Sequence, residues 1–117
     1  MKHHKKGRVF GRKGNVRVAL IRSLATHLIH KGKITTTEAK AKELRPFVER
    51  LVTQGKKNSI ASRRLIMKRL GGQESITKKL ITDISSKYKD RSGGYTRIIK
   101  LGARKSDSAR RAVIEFV

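Results

Sequence analysis

Between Ile34 and Lys56 the sequence ITTTEAKAKELRPFVERLVTQGK changes its hydrophobic period, and everything around it has to pack against the result. Ile34, Thr35, Thr36 and Thr37 are branched at Cβ, stiff at χ1 and suited to an extended strand. The same threonines are good helix N-caps. Thr35 with Glu38 fits the S/T-x-x-E capping box, and Thr36 or Thr37 can cap one or two residues later, so a helix is expected to start near Glu38. Ala41, Leu44, Val48, Leu51 and Val52 then recur at three and four, an apolar stripe with Lys40, Lys42, Arg45 and Arg50 mostly off it. Pro46 falls inside this run. It removes a hydrogen bond and crowds the carbonyl of Lys42, at about 3 kcal/mol in a regular helix, which predicts a kink or a helix in two pieces.

Ahead of the strand, Asn15 reads as an N-cap, and Val16, Leu20, Ile21, Leu24, Ala25 and Leu28 form the buried face of a first helix. His30 and Lys31 favour its C-terminal dipole and Gly32 ends it. Beyond the long helix, which is expected to stop by Gly55, Asn58 or Ser59 can cap a third, with Ala61, Leu65, Ile66 and Leu70 inward and Gly71-Gly72 as the stop. A fourth starts at about Ser75, with Ile76, Leu80, Ile84 and Tyr88 every four residues. Arg91-Ser92-Gly93-Gly94 is then a turn, the run from Tyr95 to Leu101 is rich in strand formers, and Gly102 to Ser108 make a basic loop. From Arg111 to Val117 a last strand puts Ala112, Ile114 and Phe116 on one face. The order helix, strand, three helices, two strands points to an α+β fold, a two-layer α/β sandwich with a small mixed sheet.

A chain of 117 residues builds one modest core, so residues 15–117 are expected to form a single domain preceded by a basic arm, residues 1–14. The arm carries Lys2, His3, Lys5, Lys6, Arg8, Arg12 and Lys13, with Arg17 close behind, and has glycines in place of a hydrophobic period. Such a segment orders on a phosphate backbone, or it is a solvated tail. The formal charge is +23, with no acid before Glu38. That repels itself in a compact state and calls for a polyanion partner. Cysteine is absent, which excludes disulfides, thiolate zinc sites and cysteine nucleophiles. The longest apolar run, Val18 to Ile21, is far too short to cross a bilayer, and the arm lacks the layout of a secretory signal or the periodicity of a transit peptide. No membrane and no small-molecule substrate are expected.

Catalysis needs convergent groups, and the eight acids are spread among basic neighbours, with no carboxylate set for a two-metal nuclease. His27 and His30, three apart on a helix, lack further ligands at metal spacing and read as surface or RNA-contacting residues; no cofactor is expected. The glycines from Gly7 to Gly14 lack the G-K-[ST] ending of a phosphate loop. The strongest candidate outside the arm is Arg91 to Lys105. Gly93 and Gly94 allow a tight turn with exposed amides, and Arg91, Arg97, Lys100, Arg104 and Lys105 match phosphate. Tyr95 either stacks on a base or sugar or belongs to the core. Helical Arg22, Lys40, Lys42, Arg63 and Arg64 add to the RNA-binding set. With few aromatics, recognition of backbone and shape is expected in place of base reading. A helix-turn-helix is disfavoured because basic residues surround the whole chain instead of marking one recognition helix. A nucleoid-type DNA-binding protein is the alternative that charge alone equally permits.

These residues also carry a family resemblance over nearly the whole length. The opening MKHHKKGR, the run Ile34 to Thr37 with Lys40-Ala41-Lys42 and then Glu49, Leu51, Val52, Thr53 and Lys56, and above all Arg91-Ser-Gly-Gly-Tyr-Thr-Arg97-Ile98 with Lys100, resemble the bacterial-type large-subunit ribosomal protein L17 family. The resemblance implies a two-layer α/β fold and a non-catalytic role. Its expected partners are large-subunit rRNA, met near the exit of the peptide tunnel, and neighbouring large-subunit proteins. It implies a cytoplasmic ribosome, with an organellar one also compatible. Pro46 and the Arg110-Arg111 pair depart from the pattern.

Overall fold

A computed structural model describes residues 14–117, and the expectations for Lys2 to Lys13 lie outside these residues. The fold is α+β: α1 (Gly14–Lys31), β1 (Lys33–Thr37), α2 (Glu38–Lys57), α3 (Ile60–Arg69), α4 (Glu74–Lys79), β2 (Thr96–Ala103) and β3 (Arg110–Phe116). After α4 the chain continues as a π-helical turn, Leu80–Ile84, and a 3₁₀ turn, Ser85–Tyr88.

The stripe of α2 is buried as its spacing requires: Ala41, Leu44, Val48, Leu51 and Val52 are all at most 1% exposed. At about 1.5–3 kcal/mol for each large apolar side chain, this helix is the main structural member of the core. Its cap is Thr37, whose side chain accepts from the Lys40 amide at 3.3 Å, while Thr35 pairs in β1 opposite Val113. The helix is not in two pieces at Pro46. Pro46 and Lys42 are both exposed, so water can satisfy the carbonyl that the proline leaves unbonded. Nor does α2 stop at Gly55. It continues to Lys57, and Asn58 closes it in the left-handed region (φ 49°).

One other boundary moves, and one inward face is reassigned. The first helix starts at Gly14, with Asn15 inside it, and Val16 is 48% exposed because its turn finds no apolar surface among the described residues. In α3, capped by Ser59, Ser62 is buried and Ala61 exposed, with Ile66 and Leu70 inward. The Ser62 hydroxyl can go inside because Ser59 Oγ lies 2.8 Å from it.

The sheet has the order β1-β3-β2 and is antiparallel throughout, a correction to the mixed sheet expected from sequence. A helical connection between two strands suggests parallel neighbours, and β1 and β2 do run the same way. They are not neighbours, because the short β2–β3 connection forms a hairpin and places β3 between them. The register puts Ile34, Ile114 and Ile98 in one row across the inner face, against the helices. The outer face carries the rows Lys33–Glu115–Arg97 and Thr35–Val113–Ile99. A register shift between Lys100 and Gly102 brings Gly102 and Ala103 into β2, so the basic loop is shorter than expected.

Candidate nucleic-acid interface

The run Arg91 to Lys105, continuous in sequence, is divided by the fold. Arg91 begins the turn into β2, with its side chain in solvent and its carbonyl accepting from Lys56 Nζ and from the Tyr95 hydroxyl (3.3 Å). Gly94 follows at φ 65°, a conformation that costs glycine nothing. Tyr95 then turns inward. It is 1% exposed, its ring lies 5.2 Å from that of Tyr88, and its hydroxyl meets Thr53 at 3.1 Å and Lys56 Nζ at 3.0 Å. Of the two roles open to it in the sequence it takes the core one; no face of the ring is presented for stacking. Burial pushes the hydroxyl's pKa up, but the hydrogen bonds with Thr53 and Lys56 outweigh it and hold the group below the usual phenol range.

Glu49 fixes the next residue. Its Oε2 accepts from the Thr96 amide at 3.2 Å and the Thr96 hydroxyl at 2.9 Å, tying the first residue of β2 to the middle of α2. From there strand alternation separates the cations. Arg97 lies on the outer face, 3.3 Å from Glu115. Lys100 faces the other way and reaches Glu38, 3.5 Å away, at the start of α2. Lys42 shares that carboxylate at 3.0 Å; its hydrogen bond, opposed by burial and helped by Lys100, lowers the Glu38 pKa. At the hairpin tip Arg104 forks onto Asp107 at 2.9 and 2.6 Å.

Four of the expected RNA contacts, Lys42, Arg97, Lys100 and Arg104, therefore already have a carboxylate partner, and a phosphate has to compete for them. Exposed pairs of this kind are weak and screened by salt, so they do not bar a phosphate from these cations. Arg22 has a part in the fold, since its Nε donates to the Arg69 carbonyl at 3.1 Å, closing the end of α3, with its stem against Gly71. Arg63, Arg64, Arg91 and Lys105 are exposed and have no acid partner among the described residues. Lys40 is half-buried near the start of α2. Lys33 and Arg111, outside the set expected from sequence, join Arg97 on the outer sheet face, as the alternation of the strands requires. Among the described residues no group of three His, Asp or Glu could hold a metal ion, and no helix is long and apolar enough to cross a membrane.

Asp107 supplies a pH prediction. Hydrogen bonds from Arg104 and then from the Ala109 amide hold its pKa at about 2, against an ordinary 3.8. A depressed carboxylate contributes its stabilisation above the ordinary value and loses it as pH falls through the folded one. The hairpin tip is thus expected to keep its order down to about pH 4 and lose it towards pH 2. In an NMR titration the Asp107 carboxyl and the Ala109 amide should move together with a midpoint near 2; a midpoint near 4 would mean the fork is not populated in solution.

The Ribosomal protein L17 family model matches residues 20–117. Over its full length the chain is 50% identical to a large ribosomal subunit protein bL17 of Sphingopyxis alaskensis, covering 84% of that relative. It is 51% identical to the bL17 of Hydrogenobaculum sp. (strain Y04AAS1), covering 99% of it, and 46% identical to that of Fusobacterium nucleatum, covering all of it.

Proposed function

This chain belongs to the ribosomal protein L17 family, a structural and non-enzymatic component of the large ribosomal subunit, and on that premise we propose how it acts there. It binds large-subunit rRNA near the exit of the peptide tunnel, neutralising phosphates and fitting backbone shape with little base reading. Residues 1–14 act as a basic arm added to a two-layer body, in which α2 lies against the sheet. The arm and the exposed cations of the body, Arg63, Arg64, Arg91 and Lys105 foremost, reach different rRNA segments and tie them together, beside neighbouring large-subunit proteins. In a bacterium this takes place on the cytoplasmic ribosome.

The observation that carries the reading is the charge. With 31 basic and 8 acidic side chains, internal pairing leaves a formal +23, and a phosphate backbone is the partner that relieves it. The test is a titration of the free protein with structured RNA over a range of salt. Log K is expected to fall steeply with log salt, by about 0.7 to 0.9 for each phosphate neutralised, with weak dependence on sequence. A nearly salt-independent affinity contradicts the proposal, and a clear preference for duplex DNA over structured RNA favours a nucleoid role.

A further inference from the structure

A cavity of about 410 Å³ opens between α2, α3 and the turn that leads into β2, within the range of about 300–1,000 Å³ usual for small-ligand sites. Its apolar walls come from Pro46, Leu51 and Leu65. Arg50 and Arg69 stand in its lining, and neither has a carboxylate within ion-pair distance among the described residues. Gln54, half-buried, also lines it, and its amide makes no hydrogen bond among the described residues. Ser92 and Gly93 close the remaining side. The one acid in the lining, Glu49, has its charge engaged by Thr96 and by Arg45 at 3.5 Å.

We infer that this cavity receives a single unpaired RNA nucleotide flipped out of its helix. The inference rests on the RNA-binding reading above and adds a subsite to it. Each part of the ligand has a counterpart. A base is flat and apolar on its faces, which suits walls of proline and leucine, and polar on its edge, which suits an amide with a donor and an acceptor both unused. Its flanking phosphates are anionic and suit two arginines without acid partners. An apolar protein side chain would satisfy the walls alone and leave the arginines and Gln54 unanswered. Extruding a nucleotide that is already unpaired costs little, so the cavity selects bulges over continuous duplex. Arg50 and Arg69 thereby become contacts of a kind not expected for the surface cations, since they act on one nucleotide and not on backbone in general.

The experiment compares two RNA hairpins with the full chain, one carrying a single 2-aminopurine bulge and the other fully paired. The bulged hairpin is expected to bind about tenfold tighter, with the probe's fluorescence changing on binding. In the Arg50→Gln/Arg69→Gln variant that preference should vanish while paired RNA still binds with a steep salt slope. The Arg63→Gln/Arg64→Gln variant, on the exposed side of α3, should weaken both hairpins and keep the preference. Equal binding of both hairpins by the unaltered chain overturns the subsite and leaves the RNA-binding reading standing. Binding of neither overturns that reading itself. Protection of the cavity in assembled particles by a protein side chain, with no nucleotide cross-linked to residues there, also overturns the subsite.

Discussion

Replacing Gly55 with alanine lowers the unfolding free energy by about 1 kcal/mol, although alanine is the better helix former. The helix interior favours the substitution by roughly 1 kcal/mol. Against this, a Cβ at position 55 would sit 2.2 Å from Ser85 Oγ and 3.0 Å from Ser85 Cβ. Ser85 is 1% exposed and its hydroxyl donates to the Val52 carbonyl at 3.1 Å, so turning it away leaves a buried hydroxyl without its acceptor, at about 1–3 kcal/mol. The other relief is for the 3₁₀ turn to back away from α2, and that turn carries Tyr88 into the core. Overpacking of this kind costs about 1–3 kcal/mol, so whichever relief is taken outweighs the gain in propensity. Chemical denaturation of Gly55→Ala, Ser85→Ala and the double variant checks this: the double should recover part of the loss, since the shortest contact is gone. A neutral or stabilised Gly55→Ala would show that the two elements do not approach so closely.

The second large effect concerns affinity. Replacing Lys2, Lys5, Lys6, Arg8, Arg12 and Lys13 together with glutamine is expected to reduce the slope of log K against log salt by about 4 to 5. At low salt the same change should cost several orders of magnitude in RNA affinity. Thermal stability should stay close to that of the unaltered chain, because the stretch has glycines and cations in place of a hydrophobic period with which to join a core. An unchanged slope would place the phosphate contacts on the body alone, and a fall in stability equal to the fall in affinity would make the stretch structural.

What could be read from sequence is what periodicity determines. The stripe of α2 and the inward set Ala112, Ile114 and Phe116 of β3 follow from local spacing and are found in the core or against it. Partnership between distant residues was not legible. Glu49 and Thr96 are 47 positions apart, and nothing local says that one carboxylate will serve the amide and hydroxyl that start β2. Gly55 reads as a helix stop, because a glycine after an apolar stripe usually is one, yet its use here is the missing side chain and not its backbone freedom. The same limit divided Arg91 to Lys105. Adjacency in sequence suggested one site, while the alternation of β2 sends Arg97 and Lys100 to opposite faces and the core takes Tyr95.

The central claim is that this chain is one half of a ribonucleoprotein. Gradient sedimentation of a lysate from cells carrying the tagged full-length chain tests it most directly. The account predicts that the protein migrates with large ribosomal subunits at low salt and is released from them as salt rises. Recovery at the top of the gradient, or on chromosomal DNA free of subunits, would contradict it.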